Sequence, residues 1–155
     1  MTAAMDSLPA PRILKVLIVE PEFISMRELK VLVNNHPRLS LGFACKTGRI
    51  ATNYLKAERP DLIILNPALP DVNGFDLVAT FVEPPPILVF ADRDDYAYFG
   101  FRIGAFDYRV KPVKLPQFEM SINRVLRAID LHDEVLHLRG IVAAQPTATG
   151  TEEAV

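Results

Sequence analysis

Short aliphatic runs closed by turn residues alternate along this chain with stretches in which apolar residues recur every three or four positions. Lys15-Val-Leu-Ile-Val19, closed by Glu20-Pro-Glu22, predicts a buried first strand. Phe23, Met26, Leu29 and Val33 follow at helical spacing as far as Asn34-Asn-His-Pro37, which predicts a helix with those four residues inward. Leu39 to Cys45 predicts a second strand. Thr47 is placed to cap a helix running to about Glu58, with Ile50, Tyr54 and Leu55 inward. Asp61-Leu-Ile-Ile-Leu-Asn66 is the third strand, four aliphatic residues that run out at a polar one. Pro70-Asp-Val-Asn-Gly74 then reads as a loop whose Asn73-Gly74 suits positive φ. A short helix from about Phe75 to Val82 and the stiff Glu83-Pro-Pro-Pro86 lead to a fourth strand, Ile87-Leu-Val-Phe90. Asp94 or Asp95 is placed to cap a helix over 96–103, Gly104 stops it, and residues 106–110 form a fifth strand ending at Lys111-Pro112. A last helix begins near Leu115.

Five alternations of strand and helix in about 115 residues are the pattern of a parallel sheet covered on both faces. The right-handed crossover rule leaves few arrangements, and the flavodoxin-like (βα)5 doubly wound α/β sheet, strand order 2-1-3-4-5, is the natural one. In the last helix Phe118, Ile122, Val125 and Ile129 form one stripe for the sheet. Beyond Ile129 the pattern changes: Leu131, Val135 and Leu138 lie on roughly the opposite side, in a helix expected to reach about Arg139. The expected organisation is a lead-in over 1–13, one domain over 14–130, a helical extension over 131–142 and a disordered tail over 143–155, whose small polar composition cannot build a core.

Composition narrows the function. Half of the 155 residues are apolar and 23% are charged, the globular range. No apolar run approaches the roughly 20 residues that span a bilayer, and the first residues lack the features of a signal peptide, so a cytoplasmic protein without membrane contact is expected. A net charge of −2 with dispersed Lys and Arg gives no reason to expect nucleic-acid binding. Cys45 is the single cysteine, which excludes an internal disulfide and a cysteine-built zinc site.

In open α/β sheets the functional crevice lies at the carboxyl ends of the strands, which makes Asn66 a site candidate. Around it, Val16-Leu-Ile-Val-Glu20-Pro-Glu22, Pro60-Asp-Leu-Ile-Ile-Leu-Asn66-Pro-Ala-Leu-Pro70-Asp-Val-Asn-Gly74 and Asp107-Tyr108-Arg-Val-Lys111-Pro112 resemble the landmarks of the CheY-like receiver domain of bacterial response regulators, over roughly residues 14–130. The stretch from Asp95-Tyr-Ala97 to Gly104-Ala-Phe-Asp-Tyr108 is similar to receivers that usually precede a LytTR-type DNA-binding domain; only about 25 residues follow the fold, so no such domain is expected here. The resemblance implies five functional positions. The acidic pair that holds Mg²⁺ is Glu20 and Pro21 here, the phospho-accepting aspartate is Asn66, the Ser or Thr after strand four is Ala91, and the lysine is kept as Lys111. Tyr108 stands where receivers carry the aromatic switch residue.

Asn66 is an amide, neither nucleophile nor base, and Mg²⁺ usually needs one or two well-placed carboxylates. Glu20 and Lys111 sum to zero charge, so the expected crevice is metal-free and without cofactor, with Lys111 bonded to Glu20 or to the amide oxygen of Asn66. Pro21 also has a plain structural reading as the first residue of helix one, and Ala91 as packing. The reading that follows is a degenerate pseudo-receiver, phosphorylation-independent and not an enzyme, acting through an unidentified protein partner and as a homodimer. Its alternatives are a small-ligand or anion-binding module near Lys111, or a phosphoryl-accepting response regulator altered from Asp to Asn at position 66. Interface candidates are Tyr98 and Phe99 in an aromatic segment where Tyr96, Phe101 and Phe106 fit inward positions, together with Leu131, Val135 and Leu138.

Overall fold

Strands that are aliphatic on both sides can be buried only in a sheet covered on both faces. The computed structural model describes residues 10–144. Among them, β1 (Leu14–Val19), α1 (Phe23–Asn34), β2 (Leu39–Cys45), α2 (Gly48–Ala57), β3 (Leu62–Leu65), α3 (Gly74–Ala79), β4 (Ile87–Ala91), α4 (Ala97–Arg102), β5 (Asp107–Val110) and α5 (Leu115–Ala144) follow in order. The pairs are all parallel and the order is β2-β1-β3-β4-β5, as the alternation implies. The chain divides into two units, of which residues 12–125 hold the whole sheet.

Strand alternation splits the core of that unit in two. Leu17, Val19, Ile63, Leu65, Ile87, Val89 and Ala91 share a cluster with Ala51 of α2 and with Phe75 and Val78 of α3. Val16, Ile18, Leu62, Ile64, Leu88 and Phe90 are buried on the other face, where the Phe90 ring meets Phe118 edge-on at 6.3 Å. Phe118, Ile122 and Val125 are all buried, as their stripe predicts.

Several expectations need correction. Phe23 is 66% exposed, its ring under the Lys46 ammonium, because it opens α1 at the carboxyl edge of the sheet, where no strand lies beneath it. Ile50 is exposed: the inward face of α2 is Gly48, Ala51, Tyr54 and Leu55, and Ile50 stands about 100° from Ala51. Asn73 and Gly74 do not have positive φ. Asn73 instead caps α3, accepting from the Phe75 N–H at 2.8 Å, and Gly74 is required because a Cβ there would lie 2.8 Å from the Cα of Pro67. Gly104, at φ 72°, is the positive-φ residue that ends α4. Neither Asp94 nor Asp95 caps α4. Tyr96 occupies that position without a side-chain bond, and Asp95 pairs with Arg93 at 2.6 Å.

The other unit comprises residues 126–144 with Ala10 and Pro11 among the described residues. Its helix runs to Ala144, beyond the expected end near Arg139, so Ala143 and Ala144 are helical and not part of a tail. Leu126 and Ile129 are buried, whereas Leu131, Leu136, Leu138, Ile141 and Val142 are exposed. The rest of the expected tail, 145–155, and of the lead-in, 1–9, lies outside the described residues.

Thr47 caps α2 as expected, accepting from the Ile50 N–H at 3.2 Å, but a second cap comes from a distant loop. Asp71 accepts from the N–H groups of Gly48 and Arg49, both at 2.9 Å, which ties the β3–α3 loop to the start of α2. These bonds hold the Asp71 carboxyl below its ordinary pKa. Replacing Asp71 by Ala is expected to lower the midpoint of a denaturant titration, because two N–H groups at the start of α2 lose their acceptor; an unchanged midpoint would show that the loop does not depend on this tie.

Candidate functional site

Four of the five strand ends deliver their next residues to one crevice. β1 ends at Val19 and is followed by Glu20, β3 by Asn66, β4 by Asp92 and β5 by Lys111. The backbone fixes these positions: the Asn66 N–H donates to the Val19 carbonyl at 2.9 Å and the Lys111 N–H to the Ala91 carbonyl at 2.8 Å. The Lys111-Pro112 peptide is cis.

Glu20 is fully buried and heavily bonded. Its carboxylate accepts from Lys111 Nζ at 3.1 Å on each oxygen, from Asn66 Nδ2 at 3.1 Å and from the Glu22 N–H at 3.1 Å. Asn66, 2% exposed, has both ends of its amide engaged. Nδ2 donates to Glu20 and to Asp92 Oδ2 at 3.3 Å, while Oδ1 accepts from the Ala68 N–H at 3.0 Å. Lys111 also reaches Asp92 Oδ1 at 3.0 Å, Ser25 Oγ at 3.0 Å and Glu22 Oε2 at 3.5 Å. Partial burial of its ammonium works to lower the Lys111 pKa, but Asp92 and Glu20 outweigh it and hold the group above its ordinary 10.5. Burial likewise pushes Asp92 upward, and the bonds from Lys111 and Asn66 hold it below 3.8.

The structure therefore joins Glu20 to Lys111, one of the two expected partners, and does not form the bond from Lys111 to the Asn66 oxygen. Pro21 is half-buried between Glu20 and the N-cap Glu22, so it precedes α1 and is not its first residue. Ala91 is fully buried in the core and brings no hydroxyl. The expected charge balance of zero is also corrected. Glu20, Glu22 and Asp92 stand against one ammonium, which leaves −2. Glu22 is legible in the acidic Glu20-Pro-Glu22 turn; Asp92 lies two residues past the expected strand end at Phe90, and β4 runs on to Ala91.

A negative crevice invites a cation, yet the donors do not fit Mg²⁺. Position 66 turns N–H hydrogens toward the carboxylates, position 21 has no side-chain oxygen, and both Glu20 oxygens already face Lys111. Among the described residues no group of three His, Cys, Asp or Glu side chains is arranged to hold a metal. An anion fares no better. The ammonium hydrogens of Lys111 point into Glu20, Asp92 and Ser25, and the space beside it, lined by Ser25, Phe90 and Pro112, is about 20 Å³, enough for one water molecule.

Tyr108 is half-buried against the core face of α4, where a Cβ on Gly100 would lie 3.1 Å from its ring. Its hydroxyl donates to the carbonyl of Arg93. Burial raises the Tyr108 pKa above 10.0. On α4, Tyr96 packs inward as expected, but Phe101 is 83% exposed and Phe106 is partly exposed. The inward positions are Tyr96, Gly100 and Ile103, and Phe101 lies well off that line; Phe106 precedes the first residue of the edge strand β5. Phe99 is 45% exposed with its ring stacked on Phe75 at 5.7 Å, and Tyr98 is 65% exposed, edge-on to Phe99 at 5.8 Å. Leu131 and Leu138 are exposed and Val135 is half-buried.

The parallel 2-1-3-4-5 sheet with its polar constellation at the carboxyl edge is the architecture of a receiver, and the profile of the response regulator receiver domain matches residues 16–123, so the chain belongs to that family. It is 36% identical over 112 residues to the sensory transduction protein LytT of Enterococcus faecalis, covering 70% of this chain and 46% of that one. It is 31% identical over 130 residues to the transcriptional regulatory protein CitT of Halalkalibacterium halodurans, covering 79% and 56%. The chain spans about half the length of the curated relatives it matches. The crystal structure of the response regulatory domain of MrkE from Klebsiella pneumoniae superposes with a TM-score of 0.69 at 27% identity, over 74% of this chain and 96% of that domain. No helix among the described residues is long and apolar enough to cross a membrane.

The ion pair generates a prediction. Replacing Lys111 by Met leaves the Glu20 carboxylate buried with no cation, and breaking a buried pair from one side costs about 3–5 kcal/mol. Glu20→Gln, which removes the buried charge and keeps hydrogen-bonding groups, is expected to cost less. Denaturant midpoints of the two variants check the order; equal losses would mean that the charge on Glu20 is not what Lys111 stabilises.

Proposed function

We propose that this receiver passes on a signal without accepting a phosphoryl group: it acts by protein–protein contact, as a homodimer, and performs no chemistry of its own. The observation that carries this reading is the amide of Asn66 at the centre of the crevice, with both ends engaged by Glu20, Asp92 and the Ala68 N–H. An amide offers no nucleophilic oxygen for phosphoryl transfer. The absence of a ligand oxygen at Pro21 and of a hydroxyl at Ala91 removes two further parts of the chemistry. A small-anion site at Lys111 has less support, since its hydrogens are already directed at acceptors. Treatment with acetyl phosphate or beryllofluoride and Mg²⁺ is expected to leave mass and spectra unchanged. A stable phospho-adduct on the wild-type protein would overturn the proposal. An Asn66→Asp variant that takes up phosphate readily would instead identify a receiver disabled at one position only.

The contact surfaces follow from exposure. Tyr98 and Phe99 present an aromatic pair already braced on Phe75, the kind of anchor interfaces favour. Leu131 and Leu138 give the helical extension an exposed apolar side suited to a twin helix in a two-fold dimer. Sedimentation is expected to give a dimer for the wild type and a monomer for the Leu131→Glu, Leu138→Glu double variant. A monomeric wild type at micromolar concentration would remove the homodimer from the proposal.

A further inference from the structure

β4 ends in a residue without a polar side chain, Ala91, yet the loop that follows it is bonded into the crevice. The residue responsible is Asp92. Its Oδ1 lies 3.0 Å from Lys111 Nζ and its Oδ2 accepts from Asn66 Nδ2 at 3.3 Å, so one carboxylate spans the β3 and β5 sides of the crevice. The next residue, Arg93, is held from the opposite direction, its carbonyl accepting from the Tyr108 hydroxyl. Its guanidinium pairs with Asp95 at 2.6 Å and lies 5.9 Å from the centre of the Tyr96 ring. Tyr96 packs on Phe75 at 6.1 Å, and Phe75 carries Phe99. Contacts thus run without a break from the crevice, through the β4–α4 loop, to the exposed aromatic pair of α4.

We infer that Asp92 is a built-in latch: by bonding Lys111 and Asn66 it fixes the β4–α4 loop and Tyr108 in one arrangement and keeps the Tyr98 and Phe99 surface displayed without an incoming ligand. The inference rests on the phosphorylation-independent reading, because it gives to the chain's own carboxylate the place at Lys111 that a transferred group would otherwise need. The latch differs in kind from the Glu20 pair. Glu20 is sealed in the core, whereas the Asp92 side chain is 52% exposed, so its attraction to Lys111 is partly screened and the loop is held against opening by a modest margin. Such a contact sets an equilibrium and does not support the fold.

Hydrogen exchange of the backbone amides of 93–103, compared among the wild type, Asp92→Asn, Asp92→Ala and Asp94→Asn, tests the latch. Asp94 is an exposed acid of the same loop outside these bonds and serves as control. Both Asp92 variants are expected to exchange about five-fold faster over this segment, the factor that corresponds to losing a half-exposed ion pair at the upper end of its usual range. Exchange in strands β1 and β3 should stay at the wild-type rate, which shows that the variants are folded. In the wild type the segment should loosen as salt rises, and in Asp92→Ala it should lose that dependence. Exchange over 93–103 that is unchanged in both Asp92 variants, or equally raised by Asp94→Asn, would overturn the latch. Intact mass after acetyl phosphate, measured on the same samples, separates the two proposals: an adduct on the wild type refutes the functional reading, whereas no adduct with unchanged exchange refutes the latch alone.

Discussion

The site depends on one buried charge. Glu20 sits at the end of the inner strand β1 with none of its surface in water, a position that costs several kcal/mol unless the carboxylate is paired and hydrogen-bonded. It is both. Lys111 arrives from the end of β5, three strands away in the sheet order, and reaches Glu20 because the parallel arrangement brings every carboxyl end to the same edge. Other polar contacts in the crevice are arranged around that pair: Asn66 and the Glu22 N–H complete the coordination of Glu20, and Ser25 and Asp92 complete that of Lys111. A charge so enclosed is a fixed part of the structure.

How far the chain could be read without coordinates followed from which interactions are local. Strand order and most element limits came from short-range pattern, because a four-residue aliphatic run such as 62–65 has few ways to be buried. Glu20, Asn66 and Lys111 could be placed together because strand ends converge by topology. Asp92 could not. Nothing in its neighbours distinguishes it from Asp94 or Asp95, and its role arises from where β4 stops, a limit that single-sequence reading leaves uncertain by a few residues. The same holds for Asp71, whose bonds to Gly48 and Arg49 span more than twenty residues of chain. Aromatic residues misled for a related reason. Spacing put Phe23, Phe101 and Phe106 inside, but Phe23 opens α1 beyond the strands, and a helix of six residues and an edge strand have too little inward face for Phe101 and Phe106.

Rigid and adjustable parts of the crevice are distributed in a way that suits a binding module. The β3–α3 loop is capped onto α2 by Asp71 and closed at Gly74, where the backbone of Pro67 leaves no room for a side chain. The β4–α4 loop is held differently. It is held by side chains at Asp92, Arg93 and Tyr108, each partly in contact with water, and it leads directly into the helix that displays Tyr98 and Phe99. A partner bound at α4 would therefore meet a segment held by half-exposed side chains, and only a differential affinity for a second loop arrangement would shift it.

Asn66 and Asp92 depend on each other. If position 66 carried an aspartate, its carboxylate would face the Asp92 carboxylate across the 3.3 Å now bridged by an N–H, with Glu20 equally close. Two like charges near 4 Å repel by about 4 kcal/mol at an effective dielectric of 20, and the single ammonium of Lys111, which already faces Glu20, Glu22 and Asp92, could not offset a fourth carboxylate. The amide reverses the sign of the contact, because one NH2 group donates to both Glu20 and Asp92. Asn66 is thus the residue that permits an acid at the start of the β4–α4 loop to approach the crevice, and Asp92 gives the second amide hydrogen an acceptor. An amide at 66 and an acid at 92 fit together as a pair. Either one exchanged alone leaves the other with a repelled charge or a lost partner.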